Sequence, residues 1–157
     1  MPDGAERAYV AGLTLLARRE LAEAQLRERL GRRTFNHEDI DAAVARLRLE
    51  GALNDRRTAV ACARTEVRLR YHGRTRVVRR IEALGIARDV AREAVAEVFT
   101  EVDEAELLEH ALDRRLRRGL ALNDPLAVQR MHRYLVGQGF DPSAVIGLLR
   151  RRAAQMT

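Results

Sequence analysis

The side chains with the most chemical potential in this sequence are arginines, and they are clustered. One group comprises Arg70, Arg74, Arg76, Arg79 and Arg80, a second Arg114, Arg115, Arg117 and Arg118, and a third, Arg150 to Arg152, lies near the end. Every one of the 29 basic residues is Arg. A guanidinium is permanently charged and offers a planar fork of donors suited to phosphate or carboxylate, although genomic codon bias also produces such a composition. On a helix, Arg76 and Arg80 share a face, as do Arg114, Arg117 and Arg118. Such clusters can hold a phosphate backbone without reading its sequence. Single-strand binders usually add aromatic platforms. Here there are three Phe, three Tyr and no Trp; Phe35 and Phe140 fall at core positions, leaving Tyr71 and Tyr134 as the rings expected at the surface. Weak backbone contact is therefore expected rather than a dedicated single-strand site. Arg150 to Arg152 are equally explained by the negative end of the last helix dipole.

Catalytic constellations are missing. Gly137-Gln138-Gly139-Phe140 lacks the Lys and Ser/Thr of a phosphate-binding loop. His37, His72, His110 and His132 are not at ligand spacing and are expected at surface or boundary positions, so no metal or cofactor is expected. Ser143 is the sole serine and sits beside a helix cap. Glu104 and Glu109 carry no mark of an acid/base pair. Cys62 is the only cysteine, which excludes an internal disulfide; its Ala-rich surroundings suggest a small core residue. The chain is expected not to be an enzyme.

The net charge of +6 conceals segregation along the chain. Residues 64–92 carry 9 Arg against 3 acids, residues 93–113 carry 8 acids and no Arg, and residues from 114 on carry 9 Arg against 2 acids. Either the acidic stretch pairs with its basic neighbours, or the surface is bipolar and suits a mixed partner such as a protein-coated nucleic acid. No leader-like run opens the sequence, and no stretch approaches the ~20 apolar residues of a membrane span. A cytoplasmic location without membrane contact is expected.

The elements that must carry these side chains repeat. With Phe35, Ile86 and Phe140 in register, Leu30, Ile81 and Leu135 lie five residues earlier and Leu26, Val77 and Met131 nine earlier; Ile40, Ala91 and Val145 lie five later, and Val44, Val95 and Leu149 nine later. Columns four apart mark one helix face. Each copy reads as helix, tight turn, helix, preceded by a further helical stretch: Tyr9 to Arg19, Asp55 to Arg70, Glu101 to Arg118. The expected fold is all-α, a tandem array of three three-helix repeats, elongated and curved. Residues 1–8 form a flexible N-terminus, 9–54 the first repeat, 55–100 the second and 101–157 the third. Asn36 with Asp39, Asp124-Pro125 and Asp141-Pro142 are helix starts. Gly51 and Gly119 are stops. Gly85 and Gly139 suit a chain reversal before the plug residue; Thr34 takes that place in the first copy, which predicts a different turn there.

Four runs carry a family resemblance. Gly51-Ala52-Leu53-Asn54-Asp55-Arg56-Arg57-Thr58-Ala59 is similar to the signature of the RecX family between its first and second units, with Thr58 in place of an aromatic. His72-Gly73-Arg74-Thr75-Arg76-Val77, followed by Ile81 and Gly85-Ile86, resembles its second segment, with Arg74 in place of Pro. Gln129-Arg130-Met131-His132-Arg133-Tyr134-Leu135, ending in Gly139-Phe140, resembles its C-terminal motif. Ala17-Arg18-Arg19-Glu20 with Leu26 and Leu30 resembles the first; Ala22 replaces the usual capping Ser, which predicts a helix start weaker by about 1 kcal/mol. Coverage runs from Tyr9 to Arg151. The resemblance implies a monomeric regulator that binds the RecA–single-stranded DNA filament, lies in its groove, and lowers RecA ATPase, filament extension and strand exchange, thereby modulating DNA repair. Arg130 and Arg133 then join Arg70, Arg74, Arg76, Arg79, Arg80, Arg114, Arg115, Arg117 and Arg118 as candidate contacts to RecA or DNA. The alternative is a helical module that binds single- or double-stranded DNA directly, weakly and without sequence preference.

Overall fold

A computed structural model describes residues 1–156. Among them the structure is helical, with α1 (Gly4–Arg18), α2 (Glu23–Arg32), α3 (His37–Leu49), α4 (Asp55–Arg70), α5 (Arg74–Glu82), α6 (Arg88–Phe99), α7 (Glu104–Leu116), α8 (Pro125–Gly137) and α9 (Pro142–Gln155). The order is three successive trios, a longer helix followed by a helix–turn–helix pair, as the apolar columns require. The segment 1–8, expected to be flexible, is helical from Gly4: the Asp3 carboxylate accepts from the Glu6 N–H at 2.8 Å and caps α1.

The turn within each pair is the same. Gly85 and Gly139 have φ of +86° and +101°, and Thr34 takes φ +67°. The first turn thus does not differ in hand, contrary to the sequence expectation. Thr34 adopts a left-handed conformation that costs an L-residue roughly 1–2 kcal/mol, because Leu30 and Ile40, both buried, fix the path on either side. Thr34→Gly is expected to stabilise the chain by about 1 kcal/mol, read as a raised denaturation midpoint with unchanged slope.

Two compact units contain this framework. The first holds residues 1–61 and 81–94, the second 62–80 with those from 95 on. In the first, α1, α2 and α3 pack on one another around Leu15, Leu21, Leu26, Leu30, Ile40, Val44, Leu47 and Leu53. Half-buried Phe35 closes the edge of this core. Gly12 lets α1 approach α3, since a Cβ there would stand 2.8 Å from Leu47 Cδ1. Ala22 cannot cap α2 with its own side chain. The Gln25 Oε1 accepts from the Ala22 N–H, and the Asp55 carboxylate accepts from the Glu23 N–H at 2.8 Å. The orphan donors of that helix start are thereby met from outside the usual cap. In the second unit α7, α8 and α9 pack together over Leu112, Met131, Leu135, Phe140, Val145, Leu148 and Leu149, all buried. Val77, Ile81 and Ile86 are also buried.

Candidate functional site: an arginine cleft in the second unit

The second unit's site starts from a junction of two turns. Helix α4 is followed by Tyr71, a non-glycine residue with φ +54°. The His72 N–H then donates back to the Glu66 carbonyl at 3.2 Å and the Tyr71 N–H to the Val67 carbonyl, also 3.2 Å, the closure typical of a left-handed helix end. That closure folds His72 over Glu66. Both are nearly solvent-free, at 7% and 4% exposure, and Nδ1 lies 2.6 Å from a Glu66 carboxylate oxygen. A carboxylate only accepts, so Nδ1–H donates. Burial pushes the His72 imidazole below its ordinary value, and neighbouring Arg76 and Arg70 act in the same sense against the opposing pull of Glu66. Arg70 and Arg80 approach Glu66 at 3.6 and 3.7 Å.

Gly73 follows and meets the turn between α8 and α9. Its N–H donates to the Gln138 carbonyl at 2.8 Å, and the Thr75 hydroxyl donates to the Gly139 carbonyl at 3.0 Å. Arg76 Nη1 donates to the Gly137 carbonyl at 3.3 Å. The backbones are in van der Waals contact: a Cβ on Gly73 would lie 2.5 Å from the Gly139 carbonyl carbon. This junction sets the start of α5 against the end of α8.

The result is a cleft of about 290 Å³ lined by Arg70, Tyr71, His72, Arg76, Ala111, Arg114, Arg118, Tyr134 and Gln138. Arg114 is held by a hydrogen bond from Nη1 to the Leu69 carbonyl at 2.9 Å and lies 5.6 Å from the Tyr71 ring centroid. Arg115 lies 4.4 Å from the Tyr134 ring centroid. Arg76 and Arg118 make no ion pair among the described residues. Four guanidiniums on one concave surface, with two tyrosines, have the donor geometry to hold an anion with several acceptor oxygens.

The candidate arginines thus separate. Arg70, Arg76, Arg114 and Arg118 converge on the cleft; Arg115 and Arg130 line a neighbouring pocket. Arg74 turns away to Glu104 at 3.1 Å and lies 4.9 Å from the Phe99 ring centroid, and with Arg79 it lines another hollow. Arg80 approaches Glu66 as Arg70 does, but it does not line the cleft. Arg117 and Arg133 are exposed and stand outside the cleft. The acidic stretch is partly paired: Glu93 with Arg56, Glu104 with Arg74, and Glu109 and Asp113 with Arg152. Such surface pairs contribute little stability but reduce the bipolar charge of the surface.

Sequence reasoning missed the Glu66–His72 pair and placed His72 at a surface or boundary position, whereas it is buried. A signal was present: Glu66 is an isolated acid in a basic run. Tyr71 and Tyr134, expected as exposed rings, are half-buried beside arginines. Cys62 is half-buried rather than core, and burial followed by nearby Glu66 pushes its thiol up. Among the described residues no cluster of His, Cys, Asp or Glu could hold a metal, and no helix is long and apolar enough to cross a membrane.

Three-helix units, the second compact unit carrying an arginine-lined cleft, define an all-helical repeat protein. Residues 8–47 match the family model described as RecX, first three-helix domain. Regulatory protein RecX of Syntrophotalea carbinolica is 34% identical over 88% of this chain and 91% of its own length, and that of a Thermus thermophilus strain is 38% identical over 85% and 83%. The crystal structure of RecX from Lactobacillus salivarius superposes with a TM-score of 0.81 at 16% identity, covering 96% of this chain and 97% of that one. A second RecX crystal structure gives 0.83 at 21% identity, covering 95% and 72%. The chain belongs to the RecX family of regulatory proteins.

Proposed function

We propose that this chain binds the RecA–single-stranded DNA filament, lies in its groove and lowers RecA ATPase activity, filament extension and strand exchange. The observation that carries this reading is the convergence of Arg70, Arg76, Arg114 and Arg118, from two segments about forty residues apart, on one cleft. Family membership supports a regulatory role, and the charge of the cleft suits a partner that presents phosphates or carboxylates. Arg115, Arg130, Arg74 and Arg79 extend the proposed contact surface around it.

Arg80 is a poor probe of this surface, since Arg80→Glu would set a second carboxylate beside buried Glu66. Arg76→Gln combined with Arg118→Glu avoids that, since the amide keeps a donor and adds no carboxylate beside His72. The double variant is expected to keep its thermal midpoint and to need about tenfold more protein for half-inhibition of RecA ATPase, because one charge removed and one reversed take away about 1.4 kcal/mol of attraction. Unchanged inhibition would remove the cleft from the contact surface.

The cleft's arginine lining suits phosphate, which favours a second reading, direct nonspecific binding to DNA. That reading requires an affinity for naked DNA that falls steeply with salt, and inhibition that appears only when the chain covers the strand.

A further inference from the structure

The arginine cleft shares a wall with a second pocket. Tyr134 lines both, and Arg115 and Arg130 line only the second, which has a volume of about 270 Å³. The chemistry changes across the ring. The cleft side is dominated by guanidiniums. The far side is mixed, with apolar surface from Leu120, Ala127 and Met131 and an amide at Asn123. Ala127, Arg130, Met131 and Tyr134 follow a three- and four-residue spacing on α8, so one helix face runs from this pocket to the cleft. Arg115 lies beside the Tyr134 ring, and its Nε, itself buried, has no hydrogen-bond partner among the described residues. The guanidinium lies over that ring and lines the same pocket, a flat cationic surface of the kind on which a nucleic-acid base stacks.

An inorganic anion would use only the cleft. A nucleotide unit has what both compartments take: an anionic phosphate, and a flat base with a polar edge. We infer that the Tyr134 pocket is a base subsite, in which a single strand of nucleic acid places one phosphate among the cleft arginines and turns the adjoining base into the pocket. Duplex is excluded from this arrangement, because a paired and stacked base cannot enter a pocket. The scarcity of aromatic residues argues against a row of stacking platforms but not against a single subsite, which needs one ring. The inference rests on the cleft taking phosphate, which both readings above share.

The test compares a labelled short oligothymidylate with a sugar–phosphate strand of equal length that lacks bases, by fluorescence anisotropy with the full chain at fixed salt. The base-bearing strand is expected to bind about tenfold tighter, the scale of one stacked base. Ala127→Leu fills the pocket while preserving the Ala127 backbone N–H that Asp124 caps; it should abolish the difference and leave the affinity for the abasic strand unchanged. Equal affinities for the two strands, or a preference that survives Ala127→Leu, would overturn the subsite. So would displacement of the strand by a glutamate-rich peptide as effectively as by unlabelled oligonucleotide, which would assign the cleft to protein carboxylates. If the subsite fails in these ways while the native chain still inhibits RecA ATPase, the proposed function stands; absence of inhibition by the native chain overturns that function whatever the strands do.

Discussion

Gly73→Ala is expected to destabilise the second unit by about 3 kcal/mol, the upper part of the range for forced overpacking. The added methyl would stand 2.5 Å from the Gly139 carbonyl carbon, 2.6 Å from its oxygen and 2.8 Å from the Phe140 nitrogen. These are backbone atoms, so no side-chain rotation relieves the overlap. The turns must separate, at the expense of the Gly73–Gln138 and Thr75–Gly139 hydrogen bonds. Gly139 has the matching restriction, with φ +101° and the Arg76 nitrogen 2.5 Å from where its Cβ would be. Gly137, two residues away, has nothing within 4 Å of its Cβ position. Gly137→Ala should therefore be neutral or slightly stabilising as a helix residue. Chemical denaturation of the pair of variants measures the contrast, and equal stabilities would contradict the junction. Because the same contact sets Arg76 against Tyr134 and Gln138, Gly73→Ala should also weaken inhibition at temperatures where it remains folded.

The second large effect belongs to His72. His72→Leu removes the donor to a carboxylate that is only 4% exposed, leaving Glu66 with Arg70 and Arg80 at 3.6 and 3.7 Å. Losing a hydrogen bond to a buried charged group should cost about 2 kcal/mol. The pair also has a pH signature. The folded-state imidazole lies below the ordinary 6.5 of the unfolded chain, chiefly because burial disfavours its charged form. Between those two values the unfolded chain binds more protons, so stability falls as pH drops below 6.5 and the contribution is fully present above it. His72→Gln keeps a donor in reach of Glu66 and cannot titrate. Denaturation midpoints at a series of pH values should show the drop in the native chain and a smaller one in His72→Gln; parallel curves would contradict the assignment.

Much of the architecture was legible because it is periodic. The columns through Leu26, Val77 and Met131 and through Leu30, Ile81 and Leu135 carry the helix–turn–helix pairs, and these residues are buried. Caps at Asn36, Asp124 and Asp141 depend on local chemistry alone, and each accepts the backbone N–H three residues on. Thr34 departs from expectation because side-chain preference argues against a left-handed residue where the buried path on either side demands one. Asp3 escapes notice as a cap because no apolar column precedes Tyr9. The cleft was half legible. Its arginines stand out in the sequence, but which of them meet depends on the approach of Gly73 to Gly139, sixty-six residues apart, and on the way the end of α4 folds His72 onto Glu66. Neither leaves a periodic trace. Arg74 pairs with Glu104 and neither it nor Arg80 lines the cleft, which their spacing alone does not reveal.

The most direct measurement of the central claim is the ATPase rate of the cognate RecA on single-stranded DNA, with this chain titrated far below one per RecA monomer. A progressive fall at such ratios is the predicted result, since a protein acting on the filament silences many subunits per bound copy. No fall, or a fall only when the chain is abundant enough to coat the strand, would contradict it.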